Sequence, residues 1–214
     1  MRKTLVVLAV VTAAAAPAAG QGNYYLPAGF KLTPFLTQAP QRSFEKFEEK
    51  LAAKTDYRAV LETTAGRMVL DLYESKTPKT VASFVWLARH HYYDGINFHR
   101  VIADFMAQTG DPNTVNGARG TWGQGGPGYQ YGLEVRSDLK FDAKGVLGMA
   151  RTQDPNSNGS QFFITFGPTP FLDMQYTVFG KVVEGVNVLD KIAKGEPPAT
   201  PTKITRAYII EKKL

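Results

Sequence analysis

Short strand-like runs, separated by turn residues, fill the sequence from Asp56 onwards and constrain its fold more than any other feature. Tyr57 to Thr63 and Arg67 to Tyr73 alternate apolar and polar side chains around Ala65-Gly66, which predicts a β-hairpin. Comparable runs follow at residues 97–102, 105–109, 145–150, 161–166, 177–183 and 204–211. The series is typical of a protein built mainly from β-sheet.

Two helices are predicted between these strands. Thr77 and Pro78 supply an N-cap and a first helical residue, and the helix that follows should end near His91. A second, short helix is predicted over Val186 to Ala193. With so few helices, the pattern favours a closed or nearly closed β-structure.

The composition excludes several kinds of site. Hydrophobic residues make up 43% of the chain and charged residues 21%, as in ordinary globular domains. There is no cysteine, which rules out disulfides, thiol nucleophiles and cysteine-ligated metals. The three histidines are His90 and His91, expected to be exposed at a helix end, and His99, expected to point away from Arg100. We therefore expect neither a metal nor a cofactor.

Residues 1–20 have the layout of a secretory signal peptide. Arg2 and Lys3 precede an apolar run from Leu5 to Ala16, and Ala18 and Gly20 are small residues suited to cleavage. A membrane anchor is the alternative, but the run is short for a span of ~20 residues. The pattern predicts an exported protein, periplasmic or extracellular, without stable membrane insertion after cleavage.

The charge balance argues against a nucleic-acid partner. Cleavage of the signal segment removes two basic residues and leaves 23 basic against 19 acidic ones, so the net charge falls from +6 to +4. The remaining Lys and Arg are scattered and form no basic stripe. We expect a monomer that does not bind nucleic acids.

Residues 21–55 are interpreted as an N-terminal arm ahead of a domain at 56–214. The first part, Gln21 to Pro40, mixes Pro, Gly and Asn with aromatic residues and suggests a linker or an arm packed on the domain. Ser43 is placed to cap a helix running to about Lys54, with Phe44 and Phe47 on its apolar face. We expect this helix to dock on the domain, with partner binding as the alternative.

The stretch from Gly110 to Gly132 is rich in glycine and is predicted to be loop throughout. Its run Gly123 to Gly128 superficially looks like a phosphate-binding loop. Such a loop needs a following helix, which Pro127 and the residues after it cannot readily begin. We therefore expect no phosphate site.

Two longer segments are far more specific. The first runs from Phe98 to Asp111, FHRVIADFMAQTGD, and the second combines Gly145 to Arg151, GVLGMAR, with Asn156 to Thr165, NSNGSQFFIT. In this order, and with FLD at 171–173 and VFGKV at 178–182, they closely resemble the cyclophilin family of peptidyl-prolyl isomerases. The resemblance extends from Tyr57 to the C-terminus, about three quarters of the chain.

This resemblance implies a fold and an activity. The fold would be a closed eight-stranded antiparallel β-barrel capped by two α-helices, with an outer groove for proline-containing polypeptides. The activity would be rotation about X–Pro bonds, which face a barrier of ~18–20 kcal/mol and exchange in ~10–100 s without a catalyst. Millisecond exchange requires ~10⁴-fold acceleration, or ~5.4 kcal/mol, and needs no nucleophile or metal.

The resemblance also assigns roles to individual residues. Arg100 takes the position of the catalytic arginine, and Gln108 that of a glutamine that binds the substrate backbone. A guanidinium is always protonated and rigid, so one donor aimed at the prolyl nitrogen would stabilise the twisted amide selectively. Substrate binding is assigned to Phe105, Met106, Phe163, Phe171, Leu172 and Tyr176 around the proline pocket, and to Ala150, Arg151 and Gln161 in the groove.

Three of these positions depart from the best-known eukaryotic pattern. Arg151 replaces Asn, Phe171 replaces Trp, and Tyr176 replaces His, as in bacterial members of the family. Because Phe171 lacks the indole N–H, the resemblance predicts weak binding of the cyclic peptide cyclosporin.

Two alternatives stay open beside an enzyme that assists the folding of exported proteins. The first is a non-catalytic peptide-binding or holdase module that uses the same groove; loss of the arginine at position 100 would favour it, and Arg100 is present. The second is an interaction protein in which the arm, Gln21 to Lys54, is the functional part and the barrel its support.

Overall fold

Nine antiparallel strands form one sheet in the computed structural model, which describes residues 23–214. The predicted signal peptide, residues 1–20, lies outside the described residues. In chain order the strands are β1 (Lys31–Leu32), β2 (Thr55–Thr63), β3 (Gly66–Leu72), β4 (Arg100–Ile102), β5 (Met106–Thr109), β6 (Val146–Met149), β7 (Phe162–Thr165), β8 (Val178–Glu184) and β9 (Ile204–Lys213). They are paired in the order β1-β9-β2-β3-β8-β6-β7-β5-β4.

Helical segments are few. The α-helices are α1 (Pro78–Arg89) and α2 (Asn113–Asn116), and 3₁₀ turns cover Arg119–Thr121, Pro170–Leu172 and Val186–Lys191. Within residues 23–214 no helix has the length and apolar character needed to cross a membrane.

The predicted β-hairpin is confirmed, because β2 and β3 pair around the turn at Ala65-Gly66. The prediction of a mainly β, antiparallel fold is also confirmed. The predicted closure into an eight-stranded barrel is not confirmed. Isolated bridges join Val101 to Gly195 and Asn97 to Lys203, but no ladder of hydrogen bonds among the described strands joins β4 to β1. The ninth strand, β1, comes from the arm and pairs with β9.

The main core lies between the sheet and α1. Val81, Phe84, Val85 and Ala88 of α1 are buried there, as their helical spacing predicts. The helix lies where expected, but its cap differs. Thr77 makes no side-chain cap bond, and the carboxylate of Glu134 accepts the Lys79 and Thr80 N–H groups at 3.0 and 2.6 Å.

The helix predicted from Ser43 to Lys54 is wrong, since this segment has no helical structure. Its backbone and side-chain groups form contacts with the domain. The Phe44 N–H donates to the Pro127 carbonyl at 2.7 Å, and the Phe44 ring packs edge-on to His90 at 5.0 Å. Glu49 forms an ion pair with Arg89 at 2.7 Å. Tertiary contacts therefore override the weak local preference for helix.

Three other sequence predictions need correction. The segment 186–193 is a 3₁₀ turn over Val186–Lys191, so the second capping α-helix is absent there. The glycine-rich stretch contains α2 and a 3₁₀ turn and is not loop throughout. His90 is buried rather than exposed, and its Nδ1 lies 2.7 Å from the Trp86 carbonyl oxygen.

Residues 23–36 pack across the outer face of β2 and β9, so the structure decides for a packed arm and against a loose linker. Val60, Val69, Tyr208 and Ile210 form a buried cluster on that face. The residues of the arm that cover the cluster are Tyr24, Tyr25, Phe30, Leu32 and Phe35.

Candidate active site

Strand register brings the two central candidates together. Arg100 of β4 pairs with Gln108 of β5, and Gln108 pairs in turn with Phe163 of β7. Directly paired residues in an antiparallel sheet point to the same face. The three side chains therefore form one row across β4, β5 and β7. His99, the neighbour of Arg100, is buried, and burial lowers the pKa of its imidazole below the usual value.

A small pocket lies on this row. Its volume is about 130 Å³, and it is lined by Arg100, Phe105, Met106, Gln108, Ala150, Arg151, Phe163, Leu172 and Tyr176. Met106, Phe163 and Leu172 form its buried apolar base, with 2, 5 and 7% of their surfaces exposed. Nine of the eleven residues predicted for the site thus meet around one cavity of mixed apolar and cationic character.

A larger groove continues from this pocket. Its volume is about 850 Å³, and it shares Gln108, Ala150 and Arg151 with the pocket. The other predicted residue of the groove, Gln161, lies in its lining. An extended polypeptide can therefore pass from the groove to the pocket without leaving the surface.

Hydrogen bonds fix the amide of Gln108 at the junction of pocket and groove. Gln108 Nε2 donates to Gln161 Oε1 at 2.9 Å. Gln161 Nε2 in turn donates to the carbonyl oxygens of Gly123 and Gly125 at 3.0 and 2.8 Å. Since these partners already hold the side chains, binding a peptide backbone there costs little additional side-chain entropy.

The Arg100 guanidinium is placed to act on a substrate. The side chain is 42% exposed, and its Nε donates to Glu196 Oε2 at 2.8 Å. It contributes to the pocket wall on the same row as Gln108. A permanently charged fork of donors beside an apolar pocket can stabilise a developing lone pair on a ring nitrogen held in that pocket.

Arg151 and Tyr176 also line the pocket. The guanidinium of Arg151 lies 4.8 Å from the centre of the Tyr176 ring, and its Nε donates to the Gln175 carbonyl at 3.0 Å. The Tyr176 ring packs edge-on to Phe163 at 5.8 Å. The Arg151 side chain is therefore held in place by contacts within the protein.

Phe171 lies outside the pocket lining. Its side chain is 62% exposed, and its ring centre is 5.6 Å from that of Phe105. The predicted role of Phe171 as a wall of the proline pocket is therefore not supported by this geometry. A bulky ligand that extends beyond the pocket would reach it.

Two residues that shape the site escaped the sequence analysis. Gly148 of β6 pairs with Phe163, and a Cβ at this glycine would lie 2.3 Å from Phe163 Cζ. Only glycine allows the ring to lie across β6. Glu196 is the second, and no local pattern pointed to it because it is distant from Arg100 in sequence.

The described residues contain no group of three or more His, Asp or Glu placed to hold a metal ion.

Comparison with known proteins identifies the family. The sequence model of "Cyclophilin type peptidyl-prolyl cis-trans isomerase/CLD" matches residues 58–209. "Peptidyl-prolyl cis-trans isomerase-like 1" from Aspergillus oryzae is 42% identical over 157 residues, which cover 71% of this chain and 94% of that protein. The human protein of the same name is 44% identical over 156 residues, covering 69% and 89%.

Solved structures agree with this result. A cyclophilin-type isomerase of Cryptosporidium parvum, crystallised in the presence of the dipeptide Ala-Pro, has a TM-score of 0.65 and 32% sequence identity. The match covers 71% of this chain and 98% of that one. The chain belongs to the cyclophilin family and is a peptidyl-prolyl cis-trans isomerase of that type.

Proposed function

We propose that this isomerase uses Arg100 and Gln108 as its catalytic residues and that it assists the folding of exported proteins. The observation that carries the catalytic part is the row formed by Arg100, Gln108 and Phe163 at one small pocket. The export part rests on the sequence of residues 1–20.

The first step is the binding of proline. The ring enters the pocket above Met106, Phe163 and Leu172, which bury it among apolar side chains. The residues before proline lie along the groove, where the amide of Gln108 binds the peptide backbone. The prolyl ring and the preceding chain are then held separately, so the bond between them is free to rotate.

The second step is selective stabilisation of the twisted amide. In the planar ground state the prolyl nitrogen shares its lone pair with the carbonyl group, and it is a poor hydrogen-bond acceptor. As the bond twists, the lone pair localises on nitrogen and accepts a hydrogen bond from the Arg100 guanidinium. Because this bond is strong only in the transition state, it increases the rate without trapping the substrate.

An NMR exchange experiment tests this mechanism. A peptide with one X–Pro bond is titrated with the protein, and the exchange rate between its cis and trans forms is measured. Acceleration together with its loss in Arg100→Ala supports the proposal. Peptide binding without any acceleration of exchange would instead identify a non-catalytic module.

Export needs a separate experiment. The relatives reported above are eukaryotic and do not support a bacterial, exported form. Expression of the full chain in a bacterial host, with fractionation and N-terminal sequencing, should give a processed protein outside the cytoplasm that begins near residue 21. An unprocessed protein confined to the cytoplasm would refute export and leave the catalytic proposal unaffected.

A further inference from the structure

Arg100 forms an ion pair with a residue far away in sequence. Its Nε lies 2.8 Å from Glu196 Oε2, and the two side chains are 42 and 51% exposed. Exposed ion pairs of this kind contribute little to stability. The position of the pair at the catalytic arginine therefore calls for another explanation.

Backbone contacts place Glu196 beside Arg100. Val101 N–H donates to the Gly195 carbonyl at 2.8 Å, and Gly195 N–H donates to the Val101 carbonyl at 2.9 Å. Since Val101 and Gly195 are bridged, the residues next to them, Arg100 and Glu196, are neighbours. The loop that carries Glu196 is thus attached to β4 at the catalytic position.

Glycine is required at the attachment point. Gly195 has a φ of +141°, and a Cβ there would lie 2.7 Å from Pro198 Cα. Another residue would strain the loop and shift its path. The backbone conformation that places Glu196 beside Arg100 therefore requires glycine at position 195.

The contact leaves the pocket open. Glu196 accepts from the Nε edge of the guanidinium and does not contribute to the pocket lining, whereas Arg100 does. Because the guanidinium is planar, fixing Nε also fixes the plane that contains both terminal nitrogens. The N–H groups of these two nitrogens therefore stay available to donate to a substrate.

We propose that Glu196 is a positioning residue that orients the Arg100 guanidinium for catalysis. The inference rests on the proposed catalytic role of Arg100. Without Glu196, the long arginine side chain would sample several rotamers, and only some of them would aim a donor at the prolyl nitrogen. The effect should fall on the rotation step and not on peptide affinity.

Two substitutions separate orientation from charge. In Glu196→Ala, NMR line-shape analysis should give an exchange rate on the enzyme that is lower by about two- to fivefold, the range expected when an exposed ion pair is lost. The peptide Kd should stay nearly constant. Glu196→Gln keeps a carbonyl oxygen that accepts from Nε, and it should restore most of the rate.

Two results would overturn the proposal. One is a Glu196→Ala rate equal to or above that of the wild type, since orientation would then be unimportant. The other is a Glu196→Gln rate as low as that of Glu196→Ala, which would make the negative charge the active feature. Asp190→Ala is the matched control, because it also removes an exposed ion pair, with Lys144, and should leave the rate unchanged.

The double variant Arg100→Ala/Glu196→Ala excludes a merely structural role. If Glu196 acts through Arg100, the double variant should be no slower than Arg100→Ala alone. A further decrease by the Glu196→Ala factor would mean an independent effect and would overturn the proposal. A wild-type rate in Arg100→Ala would overturn the catalytic assignment itself, whereas a slow Arg100→Ala with a normal Glu196→Ala would refute only the role of Glu196.

Discussion

Two regions on the outer face of the sheet, the arm over β2, β3 and β9 and the pocket on β4, β5 and β7, use arginine in opposite ways. In the arm region, Arg67 lies 3.8 Å from the centre of the Tyr25 ring and Arg58 lies 4.5 Å from that of Phe30. There the guanidinium groups cover aromatic rings and add to packing. In the pocket region, Arg100 is bound at its Nε edge by Glu196 and lines a cavity.

The two kinds of contact serve different purposes, one for the stability of the fold and one for the binding of a substrate. An arginine whose flat face is occupied by a ring contributes to the folded state. An arginine held at one edge keeps donors for a substrate. Arg151 combines the two kinds of contact, since its guanidinium lies over the Tyr176 ring and its side chain also lines the pocket. Substitutions in the arm region should therefore affect stability, and substitutions in the pocket region should affect activity.

The largest effect on catalysis is expected from Arg100→Ala. The value of kcat/KM for an X–Pro peptide should fall by ~10²–10³-fold, because losing a donor that acts in the transition state costs ~2.7–4 kcal/mol. Peptide affinity should change much less, and Arg100→Lys should not restore the rate, because an ammonium group does not reproduce the fork. Near-wild-type turnover in a folded Arg100→Ala protein would refute the mechanism.

The largest effect on stability is expected for Phe44, in the part of the arm that packs on α1. Phe44 is buried against His90 and Trp86, so Phe44→Ala should lower the free energy of unfolding by about 3 kcal/mol, the lower end for a buried phenylalanine. Urea titration measures the loss. The control is Phe171→Ala, which removes a largely exposed ring and should cost little stability. Equal losses in both variants would contradict the packing described for residues 43–54.

A smaller effect concerns the edge of the pocket. Phe171 offers no donor to a carbonyl of cyclosporin, and an unpaired buried carbonyl costs ~1–3 kcal/mol, or roughly five- to 150-fold in affinity. Phe171→Trp should therefore bind cyclosporin more tightly with little change in turnover. Inhibition constants that are equal for the two proteins would contradict the prediction.

The smallest effect is expected for Arg67, whose exposed guanidinium covers the Tyr25 ring and lies 3.6 Å from Glu62. Arg67→Ala should lower the free energy of unfolding by ~0.5–1 kcal/mol, the usual contribution of an exposed cation–π contact. Isomerase activity should stay at the wild-type level in the same sample. A loss of activity without a loss of stability would show that the comparison of the two regions is wrong.

Predictions based on local pattern were successful. The hairpin around Ala65-Gly66 and the helix beginning at Pro78 follow from alternation, turn residues and apolar spacing, which depend on near neighbours. The two specific motifs contain Arg100 and most of the pocket residues. Strand register then places Arg100 opposite Gln108, as the short span between them allows.

Predictions failed where distant groups compete with local preference. Residues 43–54 have helical spacing, but Phe44 and Glu49 find partners on α1 and in the loop at Pro127, so the segment stays extended along the domain. His90 was expected at the surface and is covered by Phe44. In both cases the residue that makes the deciding contact is dozens of positions away in the sequence.

The sequence by itself therefore determined the family, the strand-rich fold and most of the residues that line the pocket, because these depend on motifs and on short-range periodicity. Only the tertiary structure decided that the arm adds a ninth strand, that Phe171 lies outside the pocket, and that Glu196 binds Arg100. These features depend on which surfaces meet after the chain has folded. Their energies come from contacts between residues that no local pattern connects.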